Sequence, residues 1–312
     1  MASETQAKLP LIDFSNENLK PGSSVWELTR NKVQRALEEY GCFAAVYDKV
    51  SLELHNAVFS AAEELLNLPI ETKRRNTSDR PYEGYLGARA SVPLYDSSCI
   101  ENGTTTEGIQ KFTNLMWPGG NNHFSENMLA YAKLVAELDQ MVKRMVFESY
   151  GVEKYYDSHI SSTRYNLHPN KYRAPKANET NIGASSHTDK TFTSILHQNE
   201  VGGLEVKTRD GKWISCDFSP SSFVVMAGDE FLAWSNDRIY SPNHRVIMKE
   251  DKARYTMALF SYITGIINVP EELVDDDHPL KFKPFDHFGL VDFYYKDLER
   301  HSECTVWHYC AV

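Results

Sequence analysis

His187-Thr188-Asp189-Lys190-Thr191-Phe192, continuing into Thr193-Ser194-Ile195-Leu196, is the stretch on which the fold turns. On a strand, residues two apart share a face, so His187 and Asp189 project together while Thr188 points away. Short alternating segments of the same kind recur downstream at 203–207, 213–214, 223–226 and 255–262. Asp210-Gly211 is a hairpin signal between two of them. Gly228-Asp229 and Asn236-Asp237 mark further turns. Regular short strands separated by turn residues argue for an antiparallel double-sheet jelly roll.

Upstream, the grammar is helical. Residues 9–14 read as a short opening strand, and Pro21-Gly22 breaks the chain. Ser24-Val25-Trp26-Glu27 has the form of a capping box. The helix it opens carries Val25, Leu28, Val33, Ala36, Leu37 and Tyr40 and stops at Gly41. Residues 42–47 read as a buried strand, and 51–66 as a second helix ended before Pro69. From 76 to 122 the periodicity dissolves, which predicts a long functional loop or lid. Ser125 then caps a helix running to Tyr150, with Met128, Tyr131, Leu134, Val135, Leu138, Met141, Val142 and Met145 as a core stripe. The tail turns helical again near Pro284, through Phe285, Phe288, Val291, Phe293, Tyr294 and Leu298. The expected architecture is mainly β: a jelly-roll core with an N-terminal helical extension and a C-terminal helix. Residues 1–122 form the extension with its lid. Residues 123–312 form the long helix and core, and the two parts pack as one unit.

Composition narrows the function. A chain of 312 residues buries a full core. Its net charge of −10, with no basic stretch to offset it, argues against nucleic acid or an anionic membrane as partner. No window approaches the ~20 apolar residues of a membrane span. Cys42, Cys99, Cys216, Cys304 and Cys310 are odd in number and scattered, as reduced thiols of a cytoplasmic protein would be. Nothing suggests assembly, so a monomer is expected.

The chemistry lies in a conjunction of spacings. His244, in Ser241-Pro242-Asn243-His244-Arg245-Val246, follows His187 by 57 residues. Two imidazoles and one carboxylate hold one face of a metal and leave other positions open, the arrangement of non-haem Fe(II) oxygenases. Arg254 follows His244 by 10 residues, with Thr256 on the same strand face. An inward guanidinium pairs with a carboxylate through two charge-assisted bonds, and a neighbouring hydroxyl adds another donor. Asn170-Lys171-Tyr172 begins 17 residues before His187, and its Asn and Tyr share a face. His187, Asp189 and His244 are therefore the candidate metal ligands and catalytic centre.

With these residues in place, the chain resembles the plant Fe(II)/2-oxoglutarate-dependent dioxygenases. That class includes gibberellin oxidases, flavonol and anthocyanidin synthases and the glucosinolate-pathway AOP enzymes. The resemblance runs from Leu9-Pro10-Leu11-Ile12-Asp13 through Tyr40-Gly41-Cys42-Phe43, Leu68-Pro69, Gly202-Gly203-Leu204, Gly228-Asp229 and Ser235-Asn236 to the Arg254 strand. The AOP-like branch is closest in Lys171-Tyr172-Arg173-Ala174-Pro175 and in His187-Thr188-Asp189-Lys190-Thr191-Phe192. Thr256 stands where the family has serine, which keeps the hydroxyl and implies a slightly tighter fit. Asn236-Asp237 replaces the usual asparagine-glycine turn.

The resemblance implies that Fe(II), 2-oxoglutarate and O2 act together, with ascorbate as an auxiliary reductant, releasing succinate and CO2. Arg254, Thr256 and Tyr172 would receive the far carboxylate of 2-oxoglutarate, with Asn170 nearer the iron. Asp189 argues against halogenation, because halogenating relatives lack that carboxylate. The outcome on substrate is hydroxylation, demethylation, desaturation or ring closure. Tyr85, Phe112, Met116, His197, Trp234 and Trp307 are the candidate substrate contacts. The absence of a basic cluster points to a neutral, apolar, aromatic small molecule. A zinc-dependent cupin-type enzyme and a non-catalytic small-molecule receptor remain the alternatives.

Overall fold

The computed structural model describes residues 8–89, 92–216, 219–297 and 306–312. Leu298 and Cys304 lie outside them. The N-terminal half runs β1 (Leu11–Asp13), α1 (Ser24–Glu39), β2 (Cys42–Val46), α2 (Leu52–Leu66), α3 (Ile70–Lys73), β3 (Tyr85–Leu86), β4 (Tyr95–Ser98), α4 (Thr106–Met116) and α5 (Asn122–Ser149). The rest runs α6 (Tyr156–Ser162), β5 (Thr163–Tyr172), β6 (Ile182–His187), β7 (Thr193–Gln198), β8 (Leu204–Lys207), β9 (Trp213–Ser215), β10 (Ser222–Ala227), α7 (Asp229–Trp234), β11 (His244–Ile247), β12 (Arg254–Ile263), β13 (Ile266–Ile267), β14 (Phe285–Asp286), α8 (His287–Asp297) and α9 (Val306–Cys310).

Two sheets make the jelly roll. The larger is ordered β1-β2-β10-β7-β12-β5-β4-β3, and the smaller β6-β11-β8-β9. The 122 boundary does not divide the larger sheet: β2 pairs antiparallel with β10, and β4 with β5. One outer face of that sheet is covered by α2 and α5. Val58, Leu65, Val135, Leu138, Val142 and Met145 pack there against Leu167, Ile195, Met257 and Leu259 in a single core.

Several local expectations shift. Ser23, not Ser24, caps α1: its hydroxyl accepts from the Trp26 N–H, so the Ser24/Glu27 box does not form. Leu28 points to solvent at 65 % exposure, off the buried stripe. The C-terminal end behaves as read, with Gly41 at φ +71°. A side chain there would also collide with the Tyr240 carbonyl, 2.3 Å from an added Cβ. The 76–122 stretch is not one loop. Thr105 caps α4 through the Gly108 N–H, and Ile109, Phe112 and Met116 bury one face of it. Asn121, four residues ahead of Ser125, caps α5. Asn236 and Asp237 both take positive φ (54° and 67°), the left-handed pair that a glycine would otherwise ease.

Candidate active site

The site is built inside the jelly roll from both sheets. His187 ends β6 and His244 begins β11, and the two are paired directly across the ladder. Their rings stand 4.2 Å apart. Asp189 lies beyond the end of β6, so strand alternation does not place it. A loop does. The Asp229 N–H donates to the Asp189 carbonyl at 2.8 Å, and Gly228 lets α7 approach so closely that an added Cβ would sit 2.0 Å from the Thr191 carbonyl. The Asp229 carboxylate then takes the Thr188 hydroxyl (3.1 Å), the Lys190 ammonium (2.7 Å) and the Ser241 hydroxyl (2.7 Å). Lys190 also lies 4.1 Å from the centre of the Tyr294 ring, tying α8 to the same loop.

The ligand atoms converge. One ligand atom from each of His187, Asp189 and His244 falls within 4.8 Å of the others. Asp189 Oδ1 is 3.8 Å from His187 Nε2 and 3.6 Å from His244 Nε2. Nδ1 of His187 faces the Ser185 carbonyl at 2.7 Å and Nδ1 of His244 faces the Pro242 carbonyl at 3.3 Å. A proton held on Nδ1 leaves Nε2 as a lone-pair donor, as in metal-ligating histidines. The Ser194 hydroxyl holds Asp189 Oδ2 at 2.6 Å, leaving Oδ1 for the shared centre. Burial works against charge on Asp189, but His244, His187, Ser194 and Lys190 outweigh it and keep its pKa below the ordinary value. Burial and the neighbouring His244 pull His187 down to about 4. His187 is thus kept uncharged and Asp189 anionic, and two imidazoles with one carboxylate suit a divalent cation.

Deeper along the same interior face sits a buried cation. Arg254, 2 % exposed, begins β12 opposite Tyr172 of β5, whose ring centre lies 5.2 Å from the guanidinium carbon. Its Nε and Nη2 donate to Gln198 Oε1 at 3.1 and 2.7 Å. Among the described residues no carboxylate lies within ion-pair distance of it. Thr256 is paired with Asn170, whose Nδ2 donates to the Thr256 hydroxyl at 3.1 Å, and Tyr95 donates to Asn170 Oδ1 at 2.9 Å. Gly183 makes room for Tyr172: a Cβ there would stand 2.8 Å from its ring. A buried guanidinium flanked by hydroxyl and amide groups, with no anion of its own, fits the far carboxylate of 2-oxoglutarate.

The expected substrate contacts fare differently. His197 alternates with Gln198 and so faces out of the jelly roll. Its ring nitrogens meet His55 (3.1 Å), Tyr131 (3.3 Å) and the Pro220 carbonyl (2.9 Å). Phe112 and Met116 are core residues of α4, with Phe112 stacked on Phe124. Trp234 is stacked on Phe147 of α5. Tyr85 pairs with Ser98, on the same side as Lys73, whose ammonium is 5.2 Å from its ring centre. Trp307 is 38 % exposed and packs on Phe282. None of the six joins the metal cluster. Residues to which the sequence pattern gives no site role brace it instead: Ser194 holds Asp189, Gln198 holds Arg254, and Asp229 holds the loop through Thr188 and Lys190. The alternation Ser194, Leu196, Gln198 is visible in the sequence, but not the side of the sheet it faces.

The comparisons agree with this geometry. The 2OG-Fe(II) oxygenase superfamily model matches residues 152–262, and the N-terminal model of non-haem dioxygenases in morphine synthesis matches 9–93. A probable 2-oxoglutarate-dependent dioxygenase of Arabidopsis thaliana, AOP1.2, is 46 % identical over 97 % of this chain and 96 % of its own length. The crystal structure of a rice dioxygenase for auxin oxidation superposes with a TM-score of 0.82 at 27 % identity, covering 98 % of this chain and all of that one. The Arabidopsis thaliana auxin-oxidation dioxygenase in complex with 2-oxoglutarate gives a TM-score of 0.78 at 28 % identity, over 87 % and 99 % of the two chains. With a His-Asp-His face, a waiting guanidinium and this kinship, the chain belongs to the 2OG-Fe(II) oxygenase superfamily, as a 2-oxoglutarate-dependent dioxygenase homologous to the AOP enzymes.

Proposed function

We propose that His187, Asp189 and His244 hold Fe(II), that Arg254 binds the far carboxylate of 2-oxoglutarate, and that the substrate is a neutral, aromatic-bodied small molecule. The observation that carries the co-substrate assignment is Arg254: buried, beside Tyr172 and Thr256, with no carboxylate among the described residues. A buried cation of this kind is costly unless an anion completes it. Iron, 2-oxoglutarate and O2 together supply an oxidant that removes hydrogen from the substrate.

The protein's own contribution is placement. Ser185 and Pro242 fix the two imidazoles, Ser194 fixes the carboxylate, and Asp229 fixes the loop between them. Gln198 fixes the guanidinium by accepting from its Nε and Nη2. Acidic charge supports a small-molecule partner rather than nucleic acid, and among the described residues no helix is long and apolar enough to cross a membrane. Cys42, Cys99 and Cys310, buried and free, support a cytoplasmic location.

Anaerobic titration of the apoprotein with Fe(II) and then 2-oxoglutarate tests this. The expected result is a weak visible charge-transfer band, absent in His187→Ala and requiring more 2-oxoglutarate in Arg254→Ala. Metal binding without the band would overturn the co-substrate assignment and favour the zinc-type reading, in which Arg254 has no partner to meet.

A further inference from the structure

The interior face of β5 reads Tyr172, Asn170, His168, Asn166, and the first two belong to the co-substrate end. His168 comes next, paired with Ala258 of β12. It is 5 % exposed, and its ring nitrogens have no hydrogen-bond partner among the described residues. The edge of Phe260 meets its ring at 4.9 Å and 89°. The Asp189 carboxylate acts on it electrostatically, which puts it on the metal's side of the fold. Burial holds the imidazole uncharged, down to about 4, so one nitrogen donates and the other accepts. Its nitrogens are not among the sealed unpartnered atoms of the described residues, as His159 Nε2 is, so they open onto the chamber, where a ligand's hydroxyl supplies the bond the protein does not.

Resting on the oxygenase reading above, we propose that His168 is the specificity-determining residue, hydrogen-bonding a neutral hydroxyl on an aromatic substrate packed against Phe260. A carboxylate fits less well. Lys190 is engaged with Asp229 and Arg80 with Glu83 and the Phe288 ring. Arg89, which acts on Tyr95 and Tyr82, meets no carboxylate among the described residues, so the preference rests on the negative charge of the chamber itself. Asp189 and 2-oxoglutarate already bring negative charge to the same chamber. A site that hydrogen-bonds a substrate hydroxyl rejects the analogue lacking it far more strongly than an apolar wall rejects an added methyl. His168 therefore turns the expected apolar substrate into a phenolic or alcoholic one.

The test uses enzyme loaded anaerobically with Fe(II) and 2-oxoglutarate. 2-Naphthol, its isostere 2-methylnaphthalene, and 2-naphthoate are titrated in turn, each followed by its shift of the visible band. Wild type is expected to bind 2-naphthol about tenfold more tightly than 2-methylnaphthalene, with 2-naphthoate weaker than 2-naphthol. His168→Leu should remove the preference by weakening 2-naphthol alone, and His168→Gln should restore part of it. The band in each variant reports an intact metal and co-substrate site. A preference that survives in His168→Leu, tightest binding of 2-naphthoate, or no binding of either neutral probe overturns the proposal. Failure of the band in wild type overturns the oxygenase reading together with it.

Discussion

Two clusters of buried charge lie on opposite faces of β7 and β12, and they are built to opposite ends. On the helix side, Lys143 and Asp139 of α5 pair at 2.8 Å. Tyr165 donates to Asp139 at 2.8 Å, Thr193 donates to it as well, and Lys143 donates to the Ser261 hydroxyl at 2.9 Å. On the interior side, Ser194 and Gln198 of β7 and Arg254 of β12 serve the His187, Asp189 and His244 centre. The first cluster closes on itself. The second leaves two imidazole nitrogens and one carboxylate oxygen turned toward one another, and a guanidinium held by Gln198 with no carboxylate beside it among the described residues. A closed buried network fixes structure; an open one, kept at comparable cost, marks a place for ligands.

Substitutions should separate the two clusters. His244→Ala should abolish the charge-transfer band and turnover while leaving the apoprotein's thermal midpoint nearly unchanged; a large drop would make the centre structural. Lys143→Met leaves Asp139 buried without its ammonium and should cost about 3–5 kcal/mol in denaturant unfolding. Adding Asp139→Leu should recover most of that loss, and failure to recover it would mean that the network is more than a closed pair. Arg254→Met removes a buried charged partner worth about 2–5 kcal/mol, so 2-oxoglutarate should bind at least roughly 30-fold more weakly in calorimetry, with Fe(II) affinity retained.

Acid should act on both faces through histidines kept neutral by burial. His168 is pulled down to about 4 and His197 to about 3. The ordinary histidine value, 6.5, applies to the unfolded chain, which therefore takes up protons that the folded state refuses. Stability is full above 6.5 and falls as pH drops toward 4, by up to about 1.4 kcal/mol per pH unit for each group. Denaturant midpoints of the apoprotein measured against pH check this, and His197→Gln should flatten the slope by one group. The smallest effect expected is Thr256→Ser. The hydroxyl that meets Asn170 survives, so the dissociation constant for 2-oxoglutarate should move by less than about threefold.

Much of the site is legible in the amino-acid sequence. His187, Asp189 and His244 differ from other histidines and acids only in spacing and company, yet Arg254, Thr256, Asn170 and Tyr172 narrow the reading to one co-substrate. The helix stripes are equally plain, because a period of three to four needs only local residues. The α4 helix is hidden although Ile109, Phe112 and Met116 carry that period. Gly108 and the polar run at 102–106 disguise its start, and its cap is a single Thr105 hydroxyl.

The substrate contacts are not legible, for a definite reason. Tyr85, Phe112, Met116, His197 and Trp234 are large side chains in partly apolar surroundings, and a core and a pocket select the same residue types. Alternation along β7 separates His197 from Gln198, but only pairing with β12 and packing of α5 decide which of the two faces the metal. Asp189 makes the same point: its role is readable from the motif, whereas its position depends on Asp229 and Gly228, 40 and 39 residues further along the chain. The sequence by itself determined the donor atoms and the chemistry they support, because these reside in side-chain identity and short-range spacing. Only the tertiary structure decided which residues share the chamber with them, because facing is set by strand pairing and helix packing between segments far apart in the chain.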